Sequence, residues 1–158
     1  MTDGIEIERK FLLEDPSIVS SKNSSIIAQG YLVIAGGGEE VRIRNRDNNY
    51  TLTYKAGSGR VRTEREISLT AEQFGELWPA TEGRRVEKER FLHDENGLIF
   101  EIDIYKNELR DLRVVEIEFA NATEAERFQS PVWLGLEVTD DRRYKNQYLA
   151  VNGAPESE

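Results

Sequence analysis

The 158-residue chain contains no cysteine and a single histidine. The absence of cysteine excludes disulfides and thiolate metal sites, and one histidine excludes a multi-histidine zinc site. A bound metal would therefore need carboxylate ligands, which favours Mg²⁺, Mn²⁺ or Ca²⁺. No apolar run reaches the length of a membrane span, and the N-terminus lacks the apolar segment of a secretory signal. We therefore expect a cytoplasmic protein with no membrane partner.

Basic residues are also too few to make the surface generally positive, as binding a polyanion on that surface would require. The formal net charge is −9 and the isoelectric point is about 4.8. This balance argues against a nucleic-acid partner, although an acidic protein can still enclose a basic pocket. The length suits one domain over residues 1–158, with residues 4–151 folded and 152–158 as a disordered tail. We expect a monomer or a homodimer.

Most of the chain alternates polar and apolar residues with period two, which is typical of β-strands. Short connections between the alternating segments favour an antiparallel meander, and Asn48-Asn49 is a predicted hairpin turn. The pattern predicts eight strands, over residues 4–13, 26–35, 39–46, 49–56, 60–69, 84–93, 97–106 and 113–120.

Three short helices are predicted beside the strands. Thr70 and Gln73 form a capping-box pattern that opens a helix over residues 71–78. Thr123 and Glu126 repeat the pattern before a helix over residues 125–129, and a last helix covers residues 142–151.

Charged residues of one sign recur at two-residue spacing on the strands. On the first strand Glu6, Glu8 and Lys10 share a face, while Arg9 points to the opposite face. Further pairs of one sign are Arg42/Arg44, Lys88/Arg90, Glu64/Glu66, Glu101/Asp103 and Glu116/Glu118. Two interpretations follow: a sandwich whose charged faces are solvated, or a closed barrel whose acidic and basic rows face one another inside. The barrel would turn its apolar faces outward, and these would need cover.

Seven segments, in this order, resemble the CYTH group of triphosphate tunnel metalloenzymes, and most closely its short bacterial inorganic triphosphatases. The resemblance spans roughly residues 4–150, and the segments are EIERKF at 6–11, VRIR at 41–44, LTYK at 52–55, EKER at 87–90, EID at 101–103, VEIEF at 115–119 and DRRYKN at 141–146. The resemblance implies a mainly β, α+β fold: an eight-stranded antiparallel β-barrel with a few short covering helices.

The resemblance also implies hydrolysis of inorganic tripolyphosphate to pyrophosphate and phosphate, with one or two Mg²⁺ or Mn²⁺ ions. The metal-binding acids it implies are Glu6, Glu8, Asp103, Glu116 and Glu118. The residues it implies for phosphate binding are Lys10, Arg42, Arg44, Lys55, Arg62, Lys88, Arg90, Arg143 and Lys145. Catalysis is assigned to Lys88, Glu6, Glu8, Glu116 and Glu118, and supporting acids to Glu64, Glu66 and Glu101.

Three alternatives remain open at this point. The same fold serves adenylate cyclases and thiamine or nucleoside triphosphatases, which need a pocket for an organic group. A non-catalytic module that binds polyphosphate or nucleotide is a different class of function. The many carboxylates argue against such a module, since an anion binder gains nothing from them.

Overall fold

Eight antiparallel strands close into a barrel in the computed structural model, which describes residues 5–19, 22–58 and 60–156. Around the barrel the strands follow the order β1-β5-β4-β3-β2-β6-β7-β8. The predicted first residue of β1, at position 4, and the last two residues of the predicted tail, 157 and 158, lie outside the described ranges. The strands are β1 (Ile5–Leu12), β2 (Ser24–Ile34), β3 (Glu40–Arg46), β4 (Asn49–Ser58), β5 (Val61–Leu69), β6 (Arg85–Glu95), β7 (Leu98–Tyr105) and β8 (Arg113–Glu118).

The charged rows lie inside the barrel. On β1 and β8, Glu8 is paired in register with Glu118 and Lys10 with Glu116, so both rows lie on one wall. Because side chains alternate across a strand, the intervening apolar residues point outward. The barrel interpretation is therefore confirmed, and the solvated sandwich is wrong.

The main hydrophobic core lies outside the barrel wall, against the chain that follows β8. Phe11, Phe100 and Ile117 are at most 2% exposed there. They pack against Phe128 and Trp133, whose rings lie 5.0–6.0 Å from those of Phe11 and Phe100. Burial of each large apolar side chain contributes about 1.5–3 kcal/mol. The cover that the barrel requires is thus supplied by the chain itself on this side.

Two short α-helices lie on the outside of the barrel. The first, α1 (Ala71–Leu77), has the predicted capping box of Thr70 and Gln73, and its Phe74 ring lies 5.0 Å from that of Tyr50 on β4. The second is α2 (Ala122–Arg127). Among the described residues, no helix has the length and apolar character that crossing a membrane requires.

Two local boundaries differ from the prediction. The capping box predicted at Thr123 is wrong: helix α2 starts earlier because Asn121, a stronger N-cap than threonine, accepts a hydrogen bond from the Glu124 N–H. The turn between β3 and β4 falls on Asp47 and Asn48, one residue before the predicted pair. Both have positive φ (50° and 68°), which matches the right-handed twist of the two strands.

The predicted helix over residues 142–151 begins later than expected, because the chain breaks at Lys145. A 3₁₀ turn, Arg142–Tyr144, is followed by extended backbone at Lys145 (φ −70°, ψ 141°) and then by α3 (Asn146–Asn152). Lys10 Nζ donates to the Tyr144 carbonyl at 3.0 Å, which secures the break to β1. Three other 3₁₀ turns occur in the described part of the chain, at Pro16–Val19, Trp78–Thr81 and Asn107–Leu109.

Helix α3 lies across one end of the barrel, which we call the covered end. Its Leu149 is 2% exposed and packs with Val86, Tyr105 and Val114 from three strands. The Tyr105 hydroxyl donates a hydrogen bond to Asn146 Oδ1. The C-terminal segment therefore forms part of the interior wall at this end.

Candidate active site

A cavity of about 230 Å³ lies inside the barrel, and charged side chains make up most of its lining. Because each strand contributes every second residue, the two-residue rows of the sequence converge here. The lining includes the acids Glu6, Glu8, Glu40, Glu64, Glu66, Glu101, Glu116 and Glu118 and the bases Lys10, Arg42, Arg44, Arg46, Lys55, Arg62, Arg90 and Lys145. The structure thus brings together fourteen of the seventeen residues named from the sequence.

Three predicted site residues do not line the cavity. Lys88 and Asp103 are 0% and 1% exposed and lie within the wall. Arg143 stands on the exposed 3₁₀ turn, where its Nη2 donates to Asp141 Oδ2 at 2.7 Å. The break at Lys145 separates Arg143 from the cavity and leaves Lys145 on its lining.

One group of acids is partly neutralised by lysine. Glu6 Oε1 accepts from Lys55 Nζ at 2.9 Å. Burial raises the pKa of Glu6, but its hydrogen bond with Glu64 and the charge of Lys55 outweigh burial and lower the pKa to about 2. The same hydrogen bond, together with burial, raises the pKa of Glu64 to about 7. Glu6 therefore keeps its negative charge at neutral pH, whereas Glu64 is only partly ionised there.

In a second group of acids, burial and neighbouring carboxylates disfavour the negatively charged form. Burial and the charges of Glu116 and Glu6 raise the pKa of Glu8 well above its usual range. Burial and the charges of Glu6 and Glu101 likewise raise the pKa of Glu118. The carboxylates repel one another because they share a confined space, and a cation between them would relieve that repulsion.

The chemistry of these donors fits a hard divalent cation. Carboxylate oxygens are the preferred protein ligands of Mg²⁺ and Mn²⁺. Within the described ranges, no three acidic or histidine side chains stand close enough to form a complete metal cluster. Mg²⁺ is usually held by one or two carboxylates together with substrate phosphates, so a partly open set of acids suits it.

The basic side chains of β3 present donors to the same cavity. Arg44 Nε donates to Gln29 Oε1 at 2.9 Å, and Arg44 lines the cavity. Burial and the neighbouring Arg42 and Arg90 lower the pKa of Arg44 to about 9, so it stays charged at neutral pH. Arg42 Nε is buried without a hydrogen-bond partner in the part of the chain that is described. Crowded, underused guanidinium donors are suited to an anion with several oxygens.

Behind the cavity, a buried network joins β6 to β7. Arg90 Nε and Nη2 donate to Asp103 at 2.7 and 2.9 Å, and Lys88 Nζ lies 2.8 Å from Asp103 Oδ2. Burial, with Arg90 and Arg44 nearby, lowers the pKa of Lys88 to about 7 despite Asp103. Both oxygens of Asp103 are thus engaged by cations, unlike those of Glu8.

Sequence reasoning missed five residues of the lining: Tyr31, Glu40, Arg46, Thr139 and Asn146. Two of them carried a readable signal. Glu40 stands two residues before Arg42 and Arg46 two residues after Arg44, so strand alternation places both on the inner face. Thr139 and Asn146 lie outside the strands, where no periodicity predicts a direction.

Comparison with known proteins places this architecture among characterised families. The model of the CYTH domain matches residues 4–131. The inorganic triphosphatase of Nitrosomonas europaea is 42% identical over 149 residues, which cover 93% of this chain and 97% of that protein. The inorganic triphosphatase of Acetivibrio thermocellus is 32% identical over 151 residues, covering 94% and 95% of the two chains.

Solved structures give the same result. A crystal structure of an inorganic triphosphatase superposes with a TM-score of 0.70 at 40% identity, covering 95% of this chain and 97% of that one. A Pyrococcus horikoshii protein shares the fold at only 20% identity, with a TM-score of 0.65 and coverage of 91% and 95%. The barrel is therefore common to proteins whose sequences have diverged widely.

Proposed function

Because this chain belongs to the CYTH domain family, we propose that it hydrolyses inorganic tripolyphosphate to pyrophosphate and phosphate inside the barrel. The observation that carries this proposal is the lining of the cavity, where eight basic and eight acidic side chains enclose about 230 Å³. Its similarity to two inorganic triphosphatases, at 42% and 32% identity, supports the same substrate. A phosphate chain that arrives with divalent cations explains why both kinds of residue are present. The arginines would bind the phosphate oxygens, and the carboxylates would bind the cations.

Substrate binding falls to the basic residues of the cavity. Arg42 and Arg44 offer fork-shaped donors to non-bridging phosphate oxygens, whereas Lys10 and Lys55 act as point charges. Arg90 is held rigidly by Asp103, so its position costs little ordering on binding. We assign the same role to Arg62 and Lys145, which line the cavity.

We assign metal binding to Glu6, Glu8, Glu116 and Glu118, with Mg²⁺ or Mn²⁺ as one or two ions. A bound divalent cation would neutralise phosphate charge and lower the pKa of a coordinated water. Glu64, Glu66 and Glu101 would position the lysines and arginines around these acids. We propose that Asp103 acts indirectly, because its oxygens are occupied by Arg90 and Lys88.

The reaction we propose is in-line displacement at the terminal phosphorus. The water oxygen forms the new P–O bond as the bond between the terminal phosphorus and the pyrophosphate oxygen breaks; one water proton passes to a carboxylate of the cavity, and phosphate and pyrophosphate are released. Preorganised arginines stabilise charge on the phosphoryl oxygens throughout this step. We propose that Lys88 acts indirectly, because it lies outside the cavity lining and its Nζ is 2.8 Å from Asp103 Oδ2, where it helps to hold Asp103 and Arg90 in position.

An organic triphosphate is the second candidate substrate. A groove beside the covered end shares Lys145 with the cavity and is lined partly by Val33, Tyr148 and Val151. Its volume of about 910 Å³ suits an organic group attached to a triphosphate. We therefore keep nucleoside and thiamine triphosphates as alternatives.

The absence of cysteine suits a cytoplasmic location, which we also propose.

The test is a substrate panel. Purified protein receives tripolyphosphate, ATP or thiamine triphosphate with Mg²⁺, Mn²⁺ or EDTA, and phosphate, pyrophosphate and cyclic AMP are measured. We expect phosphate and pyrophosphate from tripolyphosphate, at a kcat/KM above that for either organic substrate, and no turnover in EDTA. Tight binding of tripolyphosphate without turnover in any metal would contradict the proposal and favour a binding module.

A further inference from the structure

The basic row on the inner face of β3 ends at an acidic residue, Glu40. Arg46, Arg44, Arg42 and Glu40 follow one another at two-residue spacing on the inner face of the strand, and all four line the cavity. The acid stands at the covered end, where Gln147 of α3 approaches it. It is 3% exposed, so it is as deeply buried as the residues of the hydrophobic core.

The contacts of Glu40 use only one of its two oxygens. Oε1 accepts from Arg62 Nη2 at 2.7 Å and from Gln147 Nε2 at 3.4 Å. Oε2 is buried and has no hydrogen-bond partner within the described ranges. An unsatisfied buried carboxylate oxygen is destabilising, so its presence indicates a role other than stabilising the fold.

The electrostatic neighbours of Glu40 differ from those of the metal-binding acids. Its charge acts on Tyr31, Arg42 and Lys145. Burial is the main cause that lowers the pKa of Lys145. The positive charges of Arg62, Lys10 and Arg142 lower it further. Unlike the metal-binding acids, Glu40 thus has mainly basic neighbours, which lie at the covered end.

We propose that Glu40 determines the length of the phosphate chain that the cavity accepts, an inference that rests on the proposed tripolyphosphate substrate. A linear polyphosphate lying along the arginines of β3 is attracted until its end reaches Glu40. A further phosphoryl group there would meet a buried carboxylate and, behind it, α3. Like charges brought together in a desolvated site are strongly unfavourable, and such repulsion is an effective source of specificity.

A simpler role for Glu40 makes a different prediction. If the carboxylate only positions Arg62, its neutralisation weakens all phosphate chains by a similar factor. If it excludes a longer chain, neutralisation improves binding of the longer chain selectively. The ratio of two dissociation constants therefore separates the roles, whereas the activity on one substrate does not.

The experiment measures binding of tripolyphosphate and tetrapolyphosphate by calorimetry in EDTA, which prevents metal-dependent turnover. Wild type is compared with Glu40→Gln and with Gln147→Lys, whose ammonium would be positioned to pair with Glu40. The matched control is Glu39→Gln, because Glu39 is exposed and bonds Tyr54 on the outer face. Thermal melting confirms that each variant is folded.

We expect wild type and Glu39→Gln to bind tripolyphosphate about tenfold more tightly than tetrapolyphosphate, and Glu40→Gln and Gln147→Lys to reduce the ratio to about threefold or less. An unchanged ratio in the folded Glu40 variant, or weakening of both chains by one factor, would overturn the inference. Should Glu40→Gln not fold, Gln147→Lys decides by the same criterion. Failure of the proposed function is detected separately, as absence of phosphate release by wild type with Mg²⁺ or Mn²⁺.

Discussion

Arg9 and Lys10 are adjacent on β1, yet they belong to different parts of the molecule. Arg9 points outward, where it donates to Glu137 at 2.8 and 2.6 Å and to the carbonyls of Ala125 and Phe128 at 2.9 and 3.1 Å. Lys10 points inward to the cavity and pairs with Glu116 at 3.2 Å. The outward charge has a complete set of protein partners and secures the covering chain to the barrel.

On the inner wall, by contrast, charged side chains have neighbours of the same sign. Glu8 has acidic neighbours that raise its pKa, and Arg44 has basic neighbours that lower its pKa. Natural surfaces avoid such accumulation of like charge unless a ligand compensates it. The comparison indicates that the outer wall of the barrel is built for stability and the inner wall for binding charged ligands.

The largest effect is expected from Glu8→Gln. This change removes a proposed metal ligand, so kcat/KM for tripolyphosphate should fall by about 10²–10³-fold. Because it also relieves repulsion from Glu116 and Glu6, the melting temperature should stay the same or rise. Kinetics and thermal melting check both parts. Glu89→Gln, on the outer face of β6, is the control, and a Glu8 variant that is as active as this control would refute the metal-site assignment.

Arg44→Ala should act on substrate binding. Loss of charged hydrogen bonds worth about 1.5–3 kcal/mol corresponds to an increase in KM of about 10- to 100-fold. Steady-state kinetics with tripolyphosphate measure this increase. A KM equal to that of wild type would mean that Arg44 does not contact the phosphate chain.

Arg9→Ala should show the reverse behaviour. Removing its hydrogen bonds to Glu137 and to two carbonyls should lower the free energy of unfolding by about 1–3 kcal/mol. The KM of the folded variant should remain within about twofold of wild type, since no atom of Arg9 lines the cavity. Urea unfolding and kinetics test the pair of expectations, and a large change in KM with unchanged stability would reverse our assignment of the two faces.

The smallest effect concerns pH. The hydrogen bond from Arg9 holds the pKa of Glu137 below its usual range. A depressed carboxyl pKa stabilises the fold above the unfolded value, and this stabilisation disappears as pH falls through the folded value. The stability difference between wild type and Arg9→Ala should therefore narrow in acid. A difference that stays constant from neutral to acidic pH would show that the ion pair contributes nothing to it.

The strands and their inner faces were predictable from alternation, because the pleat fixes the direction of every second side chain. Alternation also predicted that Arg9 and Lys10 point to opposite faces. Alternation predicts which face of the sheet a side chain points to, but not whether that side chain reaches the cavity. Lys88 and Asp103 point inward, yet they lie buried within the wall because the closed barrel packs Arg90 and Tyr105 against them.

The C-terminal segment could not be read in the same way. Its helical pattern hides the break at Lys145, which depends on a hydrogen bond from Lys10 at the other end of the sequence. Long-range contacts of this kind leave no local signal. Glu40 is different, since alternation was sufficient to place it inside, but it was missed because its sign is opposite to that of Arg42 and Arg44.

The most direct test of the central claim is the position of a metal ion and a triphosphate in a crystal. Crystals grown with Mn²⁺ and a non-hydrolysable imido analogue of tripolyphosphate would reveal Mn²⁺ by its anomalous scattering. We predict one or two peaks beside Glu6, Glu8, Glu116 and Glu118, with the phosphate chain along Arg42 and Arg44. Mn²⁺ peaks found only on the outer surface, with no phosphate density inside the barrel, would contradict the account.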